Sequence, residues 1–358
     1  MNEFVDSSVI QDEIMIRTTV LKECPLCGSH GNPLYRGLSD RLFGAPGKWS
    51  IRLCRNEGCR LMWLDPMPLE EEVHKAYLRY HTHEDSRPRT PIARRALARW
   101  ISHGYLGARF GYNARSLSLF QKCLGSLIVL LPLLRQRLDF RVKYLRAESC
   151  AKILDVGCGA GVWAKYMKEL GVAVEGIDFD PGAVRNAEMN GIRTRLGSVE
   201  EANYADERFD LVNMNHVIEH LPNPVETLLE CARILKPGGF VAITTPNSKS
   251  LAHHIFGKHW RGLEPPRHLH LMEPGTLAQI VEKAGLNVVM NRSHRGTSTT
   301  FRESYRAAKG RPISNSSRNE TLIEAIAVLA FGVLETAMSV FSRSRGQHIF
   351  LLAQKDAS

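Results

Sequence analysis

The sequence predicts an α/β protein with a doubly wound, mostly parallel sheet, a small cysteine-rich domain before it and helical attachments around it. Three observations carry this. The apolar run Ile153-Leu154-Asp155-Val156 leads into glycines at alternate positions, Gly157, Gly159 and Gly161, and a helical pattern opens at Val162. A buried strand, a tight turn and an exposed helix N-terminus read this way, because a Cβ at the turn would collide with backbone or ligand. Strand and helix patterns then alternate to about residue 290, as in a parallel sheet covered on both faces. Finally, Cys24 and Cys27, then Cys54 and Cys59, stand as close pairs near the N-terminus.

The chain of 358 residues exceeds one average domain, and 44% hydrophobic with 23% charged residues is enough to build a proper core. The first twenty residues carry several acids and no apolar stretch, so no secretory leader is expected there. A reducing cytoplasm is the expected location, with the cysteines as thiols or metal ligands. The formal net charge of +10 is uneven: residues 82–150 hold thirteen Lys/Arg against four Asp/Glu, and residues 291–320 hold seven against two. Such patches favour an anionic partner: lipid headgroups, nucleotide-linked substrates or nucleic acid.

Residues 20–68 read as a zinc-ribbon-like domain. Cys24-Pro25-Leu26-Cys27 and Cys54-Arg55-Asn56-Glu57-Gly58-Cys59 can set four thiolates tetrahedrally on Zn²⁺, with short strands between them. Four cysteine ligands leave no open position, so the zinc would be structural. Unligated cysteines of a small core are the alternative. Residues 82–149 read as a basic, apolar helical connector. Within it Cys123 to Leu134 carries no charge and is bracketed by Lys122, Arg135 and Arg137. Twelve residues are too few to span a bilayer, which takes about 20, and Pro132 interrupts them. The run reads as an in-plane helix on anionic lipid, a lid over an apolar substrate, or a helix buried on the core.

The core, 150–292, is read element by element. Val162 to Leu170 is the first crossover helix, closed by Gly171. Val172 to Asp178 is a strand ending in an acid, at roughly the interval where nucleotide-binding βαβ units place a carboxylate on ribose hydroxyls. Pro181 to Met189 is a helix, Gly191 to Leu196 a strand, and Arg208 to Met214 a strand. Pro224 to Leu235 is a helix, Phe240 to Thr245 a strand, Gly275 to Ala284 a helix and Leu286 to Met290 a sixth strand. A dinucleotide site wants G-x-G-x-x-G; this chain has G-x-G-x-G after Asp155. With Gly176-Ile177-Asp178, Phe209-Asp210-Leu211-Val212, Val217-Ile218-Glu219-His220-Leu221, Arg233-Ile234-Leu235-Lys236-Pro237-Gly238-Gly239 and Thr245-Pro246-Asn247, it resembles the class I S-adenosylmethionine-dependent methyltransferases.

The resemblance implies a Rossmann-like, seven-stranded, mostly parallel sheet whose last strand, 347–354, inserts antiparallel. It implies S-adenosyl-L-methionine as cofactor. Gly157, Gly159 and Gly161 would floor its methionine part, Asp155 would hold the ammonium, and Asp178 the ribose hydroxyls. Ser198 and Val199 would flank the adenine, with Met214 and Asn215 along the sulfonium. The donor methyl is already activated, so the protein mainly aligns a nucleophile, and an oxygen nucleophile also needs a base.

His216, Glu219 and His220 are spaced to share one face of a short helix. The stretch resembles that of the ubiquinone-pathway O-methyltransferases, in which an acid, a second acid and a histidine at these spacings bind a divalent metal; His216 departs from the acid of that pattern. His220 reads separately as a general base suited to neutral pH, the alternative being that Glu219-His220 simply orders the turn above the cofactor. A second cluster, Trp260 to Leu271, resembles a segment of methyltransferases from bacterial surface-polysaccharide and secondary-metabolite pathways, with Arg267 and His268 as acceptor contacts. Residues 293–346 hold a basic segment and an apolar helix, Thr321 to Phe341, interrupted by Glu324 and Glu335. The expected activity is O-methylation of a small-molecule, lipid or glycan-type acceptor, by a cytoplasmic protein with peripheral contact to the inner membrane face. An RNA-modifying methyltransferase using the ribbon and basic segments, and a non-catalytic lipid-surface binder, are the other readings. The oligomeric state is not legible in the sequence.

Overall fold

The described part of the chain begins with one antiparallel pair of short strands and a three-stranded meander. In the computed structural model, which describes residues 15–78, 92–311, 313, 321–341 and 344–357, β1 (Thr18–Thr19) pairs with β5 (Met67–Pro68). Between them β2 (Gly31–Leu38), β3 (Trp49–Cys54) and β4 (Met62–Asp65) form a meander. Three helices follow: α1 (Ile92–Phe110), α2 (Leu119–Ser126) and α3 (Pro132–Arg141). The glycine turn joins β6 (Lys152–Val156) to α4 (Val162–Glu169); then come β7 (Ala173–Asp178), α5 (Pro181–Met189), β8 (Arg193–Leu196) and β9 (Phe209–Asn215). The chain continues through α6 (Pro224–Ile234), β10 (Leu235–Pro246), α7 (Leu251–Phe256), β11 (His270–Leu271), α8 (Pro274–Lys283) and β12 (Asn287–His294). It ends with α9 (Ser298–Ala308), α10 (Leu322–Phe341) and β13 (His348–Gln354).

The large sheet runs β12-β13-β10-β9-β6-β7-β8, with β13 antiparallel to both neighbours and β8-β7-β6-β9-β10 parallel. This is the seven-stranded, doubly wound arrangement expected from the resemblance. Its central strands are buried on both faces, which is why β6, β9 and β13 read as near-continuous apolar runs. Leu154, Val212, Ile243 and Leu351 are fully buried, and truncating one of them to Ala would cost about 2–5 kcal/mol. Local chemistry fixes the helix starts: Pro181 stands at the first turn of α5, whose first free N–H groups are capped by Asp180 accepting from Gly182 N at 2.8 Å.

The ribbon does not stand apart. β11, from beyond the fifth parallel strand, pairs with β4 and makes the small sheet four-stranded, in the order β11-β4-β3-β2. Thr276 Oγ1 donates to Cys59 O at 2.5 Å and Lys283 Nζ to Leu26 O at 2.7 Å, so α8 grips both cysteine loops. Trp63 and Leu64 pack in one apolar cluster with Leu269, Leu271 and the sheet's own Leu154 and Val212.

The connector covers one face of the large sheet through Tyr105, Ile128, Leu138 and Val142, which pack with Ile153, Leu211 and Phe350. Cys123 to Leu134 is not one helix: α2 passes into a short 3-10 turn, Leu127–Leu130, and the chain bends by 116° into α3. No single helix among the described residues is long and apolar enough to cross a membrane. The basic tail segment contains an unexpected helix, α9, and part of its charge is neutralised internally. Arg306 Nε donates to the buried Glu324 of α10 at 2.5 Å. Glu324 and Glu335 therefore interrupt the apolar sequence but not the exposed face of α10, because both turn into the body of the protein.

Candidate active site

The carboxyl ends of β6, β7, β9 and β10 meet at one edge, and β6 is flanked by β7 on one side and β9 on the other. Ligands bind in the crevice at such a switch point of an open parallel sheet. Gly157, Gly159 and Gly161 all have positive φ, +63°, +53° and +71°. A Cβ on Gly157 would meet Val217 Cγ2 at 2.4 Å, whereas at Gly159 nothing lies within 4 Å. Gly159 thus faces open space, a cradle that a side chain would fill. Its N–H donates to Asp178 Oδ2 at 2.8 Å, and Asp180 N donates to Oδ1 of the same carboxylate at 3.0 Å. Asp178 so ties the glycine turn to the end of the second strand.

Asp155 lies opposite Asn213 in the sheet and accepts from its Nδ2 at 2.6 Å. Burial pushes its carboxyl up to about 7, against the lowering effects of the Asn213 bond and of Lys143. Lys143, 2% exposed, stacks its ammonium on Phe140 at 4.8 Å and on Trp163 at 5.2 Å, and burial pulls it down to about 8. Met214 is buried in the sheet and Asn215 is exposed at the end of β9. Ser198 follows Gly197, whose N–H donates to Asp178 O at 3.0 Å; its hydroxyl accepts from Glu201 N, and Val199 beside it is buried.

The helical face expected of His216, Glu219 and His220 is not formed. Only Ile218–His220 makes a 3-10 turn, and His216 precedes it with φ +58°. The cluster forms all the same. His216 Nδ1 donates to Glu219 Oε1 at 3.0 Å and Thr245 Oγ1 to Glu219 Oε2 at 2.9 Å. Burial would raise the Glu219 carboxyl, but the His216 bond and the surrounding histidines hold it at about 2. His220 Nδ1 lies 2.9 Å from the Arg267 carbonyl oxygen and 2.9 Å from Tyr77 Oη. A carbonyl only accepts, so Nδ1 carries the proton and Nε2 keeps the lone pair; the same logic leaves Nε2 free on His216. Two further histidines complete the group. His348 sets its ring 4.9 Å from that of His216, and burial lowers it to about 3. His268 lies 4.8 Å from His220, donates Nδ1–H to Gly262 O at 2.7 Å, and is lowered by burial to about 4.

Arg267 corrects an expectation. Instead of facing an acceptor it is fully buried, bound in a fork to Asp40 at 2.7 and 2.9 Å and to Glu264 at 2.9 Å. It fastens the ribbon, through Asp40, to the loop that carries Glu264 and His268. Tyr77, Lys143, Asn213 and His348 were not singled out by sequence. Asn213 meets Asp155 only through strand pairing, 58 residues along the chain; Tyr77 and His348 arrive from distant segments, and Lys143, though near Asp155 in sequence, sits in the connector without a motif.

The four cysteines come together as the spacing predicts. Their sulfurs lie within 4.8 Å of one another, with Cys24 to Cys59 at 3.7 Å and Cys27 to Cys54 at 3.5 Å. These are not bonded pairs, since a disulfide is about 2.05 Å long. They are close to the roughly 3.8 Å edge of a tetrahedron with Zn–S bonds of about 2.3 Å, so the donor set fits zinc.

An open, mostly parallel sheet with a glycine cradle and an acid at or near the end of each of its first two strands is the arrangement that the sequence resemblance leads one to expect. Residues 130–291 match the family model described as "Methyltransferase domain". The Ubiquinone biosynthesis O-methyltransferase of Nitrosospira multiformis is 34% identical over 149 residues, 38% of this chain and 62% of that protein. The protein of the same description from Cereibacter sphaeroides is 35% identical over 150 residues, 38% of this chain and 61% of its own length. The chain therefore spans under two thirds of the length of these relatives. A SAM dependent methyltransferase from Archaeoglobus fulgidus superposes with TM-score 0.43 at 23% identity, covering 63% of this chain and 94% of that one. Over residues 130–291 the chain is thus similar to a methyltransferase domain, and its sequence is similar to ubiquinone biosynthesis O-methyltransferases.

Proposed function

We propose that the protein transfers the methyl group of S-adenosyl-L-methionine directly to a hydroxyl of a small-molecule, lipid or glycan-type acceptor, with His220 taking the proton. One observation carries the choice of His220. Tyr77 joins the donor side to the base: its ring lies 5.0 Å from that of Phe179, the residue after Asp178, and its hydroxyl reaches His220 Nδ1 at 2.9 Å. In this reading Gly157, Gly159 and Gly161 lie under the donor's methionine part. Asp155 faces its ammonium and Lys143 its carboxylate, Asp178 takes the ribose hydroxyls, and Ser198 and Val199 border the adenine. Met214 and Asn215 border the sulfonium, which supplies a methyl group that needs no further activation. Tyr77 and the Arg267 carbonyl hold His220 in the tautomer that presents Nε2, and Glu219 orients His216 beside it. The carboxylate of Glu219 stabilises positive charge as either ring gains a proton. Cys24, Cys27, Cys54 and Cys59 hold a structural zinc ion.

His220→Ala should lower kcat about 10²–10⁴-fold while donor affinity stays, as expected for removal of a general base. Full turnover by that variant would remove His220 from the chemistry. A second reading rests on the same cluster, because Glu219, His220 and His268 offer donor atoms within 4.8 Å of one another, close enough for a divalent cation. Turnover that stops with a mild chelator and returns with added Mg²⁺ or Mn²⁺, zinc content unchanged, would favour it over the base.

A further inference from the structure

The bend between α2 and α3 exposes what a soluble surface normally hides. Phe120, Leu127, Leu130, Leu131, Leu133 and Leu134 are all exposed, Leu130 to 75%. The helices are held in this pose from below. A Cβ on Gly104 would meet Gln121 O at 2.1 Å, and one on Gly125 would meet Tyr105 N at 2.2 Å, so α1 and α2 touch backbone to backbone. Tyr105 Oη then donates to Asp139 Oδ1 at 2.6 Å and fixes α3. With its inner side committed to α1, α2 can only present Leu119 and Phe120 outward. Contiguous apolar surface of this kind marks a docking face.

Charge says what docks there. From Ile92 to Leu138 the sequence has eight Lys/Arg and no Asp/Glu. Arg115, Lys122, Arg135 and Arg137 border the apolar bend and have no ion-pair partner among the described residues. The first acid after them, Asp139, is buried. A second copy of the chain meeting this face by two-fold symmetry would set cations against cations. An apolar wedge ringed by Lys and Arg fits an anionic phospholipid surface. The bend does not cross as one helix: α2 with its 3-10 turn is twelve residues, about 18 Å, against a hydrocarbon core of about 30 Å, and the chain then turns by 116° into α3.

α10 supports the same orientation. Its exposed Ile326, Leu329 and Val333 form a second apolar strip, and Arg295, after β12, donates to Gly332 O at 3.2 Å. The neighbouring His294 packs on Phe140 of α3 at 4.8 Å. Both apolar elements thus meet the sheet at the end of β12, beside the start of β13 where His348 faces His216. We propose that the α2–α3 bend, with α10 beside it, docks the protein on anionic phospholipid bilayers with the candidate active-site edge toward the membrane.

The test is vesicle flotation with the purified full-length protein and no methyl donor, so that it stands or falls apart from the enzymatic reading. The protein should float with phosphatidylcholine vesicles containing about a third phosphatidylglycerol and not with phosphatidylcholine alone. It should dissociate as salt approaches about 1 M, where charges are screened within about 3 Å. Leu130→Glu with Leu133→Glu alters only exposed side chains; it should keep the thermal midpoint and lower vesicle partitioning by tenfold or more. Arg135→Glu with Arg137→Glu should lose the preference for anionic vesicles. Absence of flotation, or equal flotation of the Leu130→Glu, Leu133→Glu variant, overturns the proposal. So does a self-association of the wild type that this variant abolishes, which would give the face to a second copy. Salt-sensitive binding of mixed RNA that the variant retains, without flotation, would give the basic rim to nucleic acid.

Discussion

Arg267→Ala should destabilise the protein by about 3–5 kcal/mol in urea denaturation near neutral pH, because it strands buried carboxylates. The Arg267 side chain is 0% exposed, Asp40 1% and Glu264 7%. Burial would raise the carboxyl of Asp40, but the Arg267 bond and charge hold it below its ordinary value; Glu264 is held low by Arg261, His268 and Arg267 against the same burial. Depressed carboxylates contribute stability above their unfolded values, about 3.9 for Asp and 4.3 for Glu, and lose it as pH falls. The wild type should therefore weaken in acid, while the variant, whose stranded acids gain by protonation, should show a smaller deficit near pH 4 than near pH 7. An unchanged deficit would mean that packing and not charge sets the cost. Because Asp40 belongs to the ribbon and the Arg267 carbonyl fixes His220, the variant should also lose turnover while still folded at low temperature.

The second large effect is expected at the cysteines. Cys59→Ser should lower bound zinc from one equivalent to none by elemental analysis and remove the cooperative melting of the four-stranded sheet. Structural zinc contributes about 10–16 kcal/mol of apparent binding free energy in isolated fingers, so little else in so small a sheet could replace it. The loss should spread, since Cys59 O accepts from Thr276 at the start of α8 and β11 pairs with β4. A wild-type protein free of zinc, melting as one unit, would show instead that the cysteines serve as ordinary core residues.

What the sequence made legible was local. The glycine turn, the alternation of strands and helices, the proline-opened α5 and α6 and the cysteine pairs are each specified within a few residues, and the structure has them where the patterns lie. The sixth strand ran longer than its apolar part, to His294, because its polar end still pairs with β13. The turn after β9 shows the limit of spacing arguments: His216, Glu219 and His220 meet through a left-handed residue and a 3-10 turn, not a helical face. Long-range partners were not legible at all. Nothing near Arg267 announces Asp40, 227 residues away, and a basic residue in a histidine-rich loop reads as a ligand until its carboxylates are seen. Tyr77, Lys143 and His348 reach the site from the turn after the ribbon, the connector and the last strand, each without a motif. Glu324 and Glu335 misled in the opposite sense, since their one-dimensional interruption of an apolar helix disappears once both turn inward.

The most direct test of the central claim is a calorimetric titration of the wild-type protein with S-adenosyl-L-methionine at about pH 7 and about pH 5.5, with Asp178→Ala as control. Burial keeps the Asp155 carboxyl near 7, whereas an ammonium beside it favours the carboxylate, so binding below that value must expel a proton. Affinity should thus fall as pH drops, by up to about tenfold per pH unit, with proton release visible as a buffer-dependent heat. Asp178→Ala should bind at neither pH. Saturable binding with this dependence is the predicted result; no binding by the folded wild type, or equal affinity in Asp178→Ala, would contradict the account.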